Sequence, residues 1–141
     1  MLEINQLLPI NKDQARKYFL EPEYLKGWLC HDAIVNPCVG GAYELFWDLE
    51  DRQHNSTIGC KLTTCTSDYI SFSWKGPIQF EDIMSHEPLT HVVVMFHEKD
   101  DQTQVTLLHS GWGSGELWDQ AQSYFSNAWQ GAFKILEQLL K

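Results

Sequence analysis

The residues best placed to do chemistry lie in LLHSGWGSGELWDQ, positions 107–120, where a histidine and a serine stand together in a glycine-rich corner. Such a pair raises the question of acyl transfer, in which an imidazole base activates a hydroxyl nucleophile. The strand-to-helix nucleophile turn reads G-x-S-x-G, and Leu108 occupies its first glycine position here. His109 and Ser110 are also neighbours on what reads as a strand. Their side chains therefore leave on opposite faces and cannot form the required hydrogen bond. No catalytic residue is assigned. SGWGSG reads instead as a corner in which glycines turn the chain and Trp112 fills the bend.

Two other groups could carry chemistry. Cys30, His31, Asp32 and Cys38 resemble part of a zinc site, but the spacing fits no familiar finger and a second ligand pair is missing. No metal or cofactor is expected, and the four cysteines, none in a C-x-x-C pair, read as reduced thiols packed as small hydrophobes. Glu81-Asp82 and Asp100-Asp101 fall in turns and read as solvated, so no carboxylate pair is poised for acid–base work.

The elements that must position these residues follow from periodicity. LEINQLL (2–8) reads as a strand. Asn11 with Gln14 three residues on is a capping-box pattern that opens a helix from Lys12 to Leu20. Pro22 opens a second short helix ending near Trp28. A short strand is expected around Ala33–Asn36. Tyr43, Leu45, Trp47 and Leu49 alternate with Glu44, Phe46 and Asp48 as one strand face, and residues 56–66 follow as the next strand. Ile70, Phe72 and Trp74 share a face in the strand after it. In THVVVMFHEK the same holds for Val92, Val94 and Phe96, and in TQVTLLHS for Val105, Leu107 and His109. From about Gly115, with Ser114 as N-cap, one helix about 40 Å long carries an apolar stripe through Trp118, Ala121, Phe125, Ala128, Trp129, Ala132, Leu136, Leu139 and Leu140. The order predicts one α+β domain over residues 1–141. A curved antiparallel sheet of about six or seven strands wraps a long C-terminal helix, with two short helices after the first strand.

Composition limits the partners. Ten Lys plus Arg against nineteen Asp plus Glu give a net charge of −9, and no basic cluster is denser than Lys12, Arg16 and Lys17. Nucleic acid and anionic membranes are not expected partners. MLEINQLLPIN has neither a long apolar run nor a basic start, so a cytoplasmic protein is expected.

The order of elements is that of the helix-grip fold. The chain resembles the family similar to the C-terminal domain of the activator of the heat-shock protein 90 ATPase. That family belongs to the START, polyketide-cyclase and birch-pollen-allergen-like superfamily. The resemblance runs through YFLEPEYLKGWL (18–29), VGGAYEL (39–45), ISFSWKG (70–76), TQVTLLHSGWG (103–113) and NAWQGAFKILEQLL (127–140). Ala128 is a departure, since many relatives have glycine before the tryptophan. The resemblance implies an apolar cavity between the sheet and the long helix. A separate N-terminal domain accompanies this one in the activators, and 141 residues leave no room for it, so a chaperone partner ranks last.

Six tryptophans line up with that expectation. The candidate ligand-binding residues are Tyr43, Trp47, Phe72, Trp74, His109, Trp112, Trp118, Phe125 and Trp129, with Tyr43, Tyr124, Ser73 and His109 as possible polar anchors. Two readings of His109 stay open, a core histidine bonded within the protein or a polar anchor facing the cavity. The function that follows is a small binding protein for a hydrophobic or aromatic molecule. The alternatives are a cyclase- or hydratase-like enzyme in which His109 moves a proton, and a chaperone-associated module. Both a monomer and a homodimer fit the sequence.

Overall fold

The computed structural model describes residues 1–141. Strand β1 (Leu2–Leu8) leads to helices α1 (Lys12–Leu20) and α2 (Pro22–Leu25). Strands β2 (Asp32–Val35), β3 (Tyr43–Phe46), β4 (Leu62–Cys65) and β5 (Tyr69–Trp74) follow. A 3-10 turn at Ile78–Phe80 and the single-turn helix α3 (Glu81–Met84) precede the long strands β6 (Thr90–Lys99) and β7 (Gln102–Ser110), and α4 (Glu116–Leu139) closes the chain.

The strands form a five-stranded antiparallel sheet in the order β1-β7-β6-β5-β4 and a two-stranded ladder, β2-β3. Tyr43 N–H donates to Cys60 O at 2.8 Å and Leu62 N–H to Gly41 O at 2.9 Å, so the small ladder continues the edge of the large one. The expected strand across residues 56–66 is shortened to β4 for a local reason. Thr57 is fully buried, and its hydroxyl oxygen accepts from Leu45 N–H at 2.9 Å and donates to Tyr43 O at 3.2 Å. The Thr57 hydroxyl thus stands in for part of the ladder beside β3, leaving isolated bridges Phe46–Ser56 and Ala42–Lys61 in place of a continuous strand.

Period-2 alternation sets the inner face of the large sheet. The register pairs Val92 with His109 and Phe72, Val94 with Leu107 and Ile70, and Phe96 with Val105. All eight side chains are buried. Across this face lies α4, 24 residues and about 36 Å long, burying Ala121, Phe125, Trp129, Phe133 and Leu136. The stripe differs from expectation at three positions. Phe133 is in it, packed on Phe19 and Trp28, whereas Leu139 is half exposed and Ala128 lies on the exposed side. Helix α1 starts with the capping box read from the sequence: Gln14 N–H donates to Asn11 Oδ1 at 2.9 Å and Asn11 N–H to Gln14 Oε1 at 3.3 Å.

The corner before α4 also differs from expectation. Gly115, at φ 119°, takes the N-cap position in place of Ser114, and no side chain caps the helix. Trp112 fills the corner, donating from Nε1 to His109 O at 2.9 Å. Trp118 passes so close to Gly113 that a Cβ there would sit 2.4 Å from the indole nitrogen. Gly131, by contrast, has open space around its missing Cβ. Gly113→Ala is expected to lower stability by about 1–3 kcal/mol through overpacking. Gly131→Ala is expected to raise it by roughly 1 kcal/mol through helix propensity. Denaturant unfolding of both variants checks the opposite signs.

Candidate functional site

One cavity of about 400 Å³ opens where β3 and β5 end beneath the middle of α4. Its aromatic wall is Trp47, Trp74, Phe125 and Trp129. The rings of Trp74 and Trp129 lie 5.0 Å apart, and Trp47 stands edge-on to Trp74 at 5.9 Å. On the helix side Ala128 and Ala132, one turn apart, leave the space open. Tyr124, Lys75, Asp48 and Asn55 contribute the polar groups of the wall, and Tyr124 is 42% exposed.

Two of the wall tryptophans are tethered by their N–H groups. Trp47 donates to Leu29 O at 2.7 Å and Trp129 to His109 Nδ1 at 3.1 Å. Trp74 is 3% exposed, and its indole N–H is buried with no acceptor. Beside the cavity lies a smaller polar recess of about 200 Å³. It shares Asn55, Ser56, Lys75 and Gly76 with the first and adds His54, Glu81 and His86.

Four of the nine residues singled out from the sequence meet at this cavity: Trp47, Trp74, Phe125 and Trp129. The other five lie elsewhere. Tyr43 is fully buried, stacked on Phe72 at 4.0 Å, and donates its hydroxyl to Phe19 O at 2.6 Å. Both belong to the core between β3 and β5. Trp112 in the corner and Trp118 in the first turn of α4 pack on each other edge-on at 6.2 Å. Ser73 accepts from Lys61 N–H on the opposite face of the sheet. Leu29, Lys75 and Ala132 were not singled out as ligand-binding; Ala132 was at least legible in the helical stripe and Lys75 in the ISFSWKG motif.

His109 is sealed rather than facing the cavity. It is fully buried, and each ring nitrogen has one partner. Because Trp129 Nε1–H donates to Nδ1, that nitrogen is the unprotonated one. Nε2–H then donates to Thr90 Oγ1 at 3.0 Å, and the threonine hydroxyl donates on to Trp74 O at 3.3 Å. Loss of hydration pushes the imidazole down to about 3, with smaller contributions from the charges of His91 and the chain's amino terminus. The ring is neutral at physiological pH, the core-histidine reading.

Burial moves other groups toward neutrality as well. Desolvation, with a lesser contribution from the Asp32 charge, pushes the Cys30 thiol up to about 12, and desolvation pushes Cys60 up to about 11. All four cysteines are free thiols. Asp32, considered above beside Cys30, has its carboxylate in ion pairs with Arg52 at 2.8 Å and Lys26 at 3.6 Å. The Arg52 hydrogen bond holds it below the usual carboxylate value. No helix is long and apolar enough to cross a membrane.

A curved antiparallel sheet gripping one long helix over an aromatic cavity defines a helix-grip domain of the START-like superfamily. The chain belongs to the family described as activator of Hsp90 ATPase homolog 1-like protein, whose model matches residues 13–141. Among solved structures, the chain is similar to protein MLL2253 from Mesorhizobium loti, with a TM-score of 0.77 at 16% identity, covering 99% of this chain and 95% of that one. It is similar to PFC0360w, an HSP90 activator from Plasmodium falciparum, with a TM-score of 0.73 at 18% identity, covering 99% and 94%. It is also similar to the Aha1 dimer from Colwellia psychrerythraea, with a TM-score of 0.72 at 16% identity, covering 99% and 96%. At these identities the likeness is one of fold. Among curated proteins no sequence matches.

The state of His109 has a pH signature. An imidazole near 6.5 when unfolded and near 3 when folded binds more protons in the unfolded chain between those values. Its contribution to stability is therefore complete above pH 6.5 and is lost as pH falls from 6.5 toward 3. His91, also lowered by desolvation, adds the same sign, while His54, raised by its Asp51 hydrogen bond, adds the opposite one. Stability of the wild type is expected to fall between pH 6.5 and about 5, above the ordinary carboxylate range. His109→Gln, which keeps a donor and an acceptor, should flatten that fall by up to about one proton's worth of slope. Urea midpoints across this range for both proteins measure it.

Proposed function

We propose that this protein is a small-molecule binding protein that holds an apolar or aromatic compound between the sheet and α4. The observation that carries this reading is the cavity of about 400 Å³ walled by three tryptophans and a phenylalanine, with two alanines keeping its helix side open. Its size and lining are those of a small-molecule site, with many apolar groups and few polar ones. The family's helix-grip architecture supports the same reading. The enzyme alternative loses the residue on which it rested. His109 faces the cavity with neither nitrogen, and its partners come from Trp129 and Thr90. For a chaperone-associated role the support is the family description and the fold-level likeness to an HSP90 activator.

Titration with phenylnaphthylamine, an uncharged aromatic probe, tests the cavity directly. Saturable uptake is expected, with quenching or energy transfer from the wall tryptophans. Ala128→Trp places a bulky ring in the opening at an exposed helix position, where folding should be unaffected. It is expected to weaken probe binding by at least about tenfold, on the order of 1.4 kcal/mol. Uptake that is absent in the wild type, or unchanged by Ala128→Trp, would remove the proposal.

A further inference from the structure

The polar groups around the cavity are unequally satisfied. Ser56 Oγ donates to Arg52 O at 2.7 Å, and Asn55 Oδ1 accepts from Ile78 N–H at 3.1 Å. Asp48, on the exposed side, accepts from Glu50 N–H with one carboxylate oxygen. What stays unengaged is chiefly donor. Trp74 Nε1–H has no acceptor although the residue is 97% buried. Lys75, the next residue along β5's exit, is half-buried and is the one cation in the cavity wall. It stands in no ion pair, although acids outnumber bases nineteen to ten in the chain. Glu81, the acid of the neighbouring recess, lies near the His54–Asp51 pair and raises the imidazole's proton affinity. Lys75 lines both spaces, and its Nζ lies toward Gly59 at the rim, from where the flexible side chain can swing to a ligand in the cavity.

We propose that the cavity takes an aromatic organic acid, its rings against Trp47, Trp74 and Phe125 and its carboxylate or sulfonate paired with Lys75. This rests on the reading of the cavity as a ligand site and narrows it to a chemical class. The acid oxygens supply an acceptor for the lysine ammonium and, once the side chains that screen it move aside, for the Trp74 N–H; the Asp48 carboxylate on the exposed side of the wall is the one anion they must avoid. Leaving a buried donor unmatched is costly, so a ligand that satisfies it is favoured over an equally apolar one that does not. Charge-assisted bonds from ammonium to carboxylate are the stronger kind, and a partly desolvated site strengthens them further.

The test compares two probes with the same apolar rings. Anilinonaphthalene sulfonate carries an acid group, and phenylnaphthylamine does not. The full chain is expected to bind the sulfonate at least about tenfold more tightly in moderate salt. Lys75→Met should erase that preference while leaving phenylnaphthylamine affinity within about twofold, and Lys75→Arg should keep it. Trp74→Phe, which retains a ring and removes the donor, should weaken the sulfonate more than the uncharged probe. Ala128→Trp should weaken both, which places both in the cavity. Equal affinity of the two probes for the wild type, or a sulfonate preference that survives Lys75→Met, would overturn the acid assignment and leave the cavity as a neutral-ligand site. Failure of both probes to bind would overturn the ligand-site reading and this inference with it.

Discussion

The arrangement turns on one hydrogen-bonded chain: Trp129 to His109, His109 to Thr90, Thr90 to the carbonyl of Trp74. It links α4 to β7, β6 and β5 through a single buried imidazole. A neutral histidine sealed from water must have both nitrogens matched, because an orphaned buried donor or acceptor costs on the order of a full desolvation penalty. Here the match comes from different elements. Turning α4 by one residue, about 100°, would swing Trp129 away and orphan Nδ1. Apolar packing alone tolerates many nearby helix settings; a buried polar chain with one solution selects among them.

The cavity is a consequence of that selection. With Trp129 held by His109, α4 presents Ala128 and Ala132 to the place where β3 stops at Phe46. The chain leaves the sheet there, and Trp47 turns to donate to Leu29 O. Two of the indoles that could collapse into the gap are therefore fixed by their own N–H groups, and the third, Trp74, is wedged between Trp47, Trp129 and Phe125. The space persists because its walls are anchored elsewhere, whereas an unanchored apolar lining would close over it.

Fold and site differ in how far they could be read from the residues. Strand faces were legible because large apolar residues recur at every second position in β5, β6 and β7, and the capping box of α1 was legible because both of its members are local. Depth was not. Tyr43, Phe72 and Trp74 all point inward, but whether an inward residue meets another strand, the helix or a cavity depends on contacts with distant segments. Tyr43 is claimed by Phe19 O and stacks on Phe72, which no spacing rule reveals. The helix stripe fails similarly. Phe133 is buried because α1 and the segment after α2 reach it, and Leu139 is exposed because it lies near the end of α4, past the last buried turn. The shortened β4 was hidden for a third reason, a threonine hydroxyl that interrupts the ladder beside β3.

The direction of the buried titrations bears on what the interior can do. Proton-transfer sites push paired groups toward the working pH, so that one can accept a proton and the other give it up. This interior pushes the other way. The imidazole of His109 falls to about 3, the thiols of Cys30 and Cys60 rise to about 12 and 11, and the Tyr43 hydroxyl is raised well above its ordinary value. Desolvation dominates in every case, and each group is locked in its neutral form across the physiological range. A neutral interior lowers the cost of excluding water next to an aromatic cavity and leaves the recognition of charge to its margin, where Lys75 stands half in solvent. The division is between an interior whose titratable groups are held neutral and a margin that carries the Lys75 ammonium and the Asp48 carboxylate.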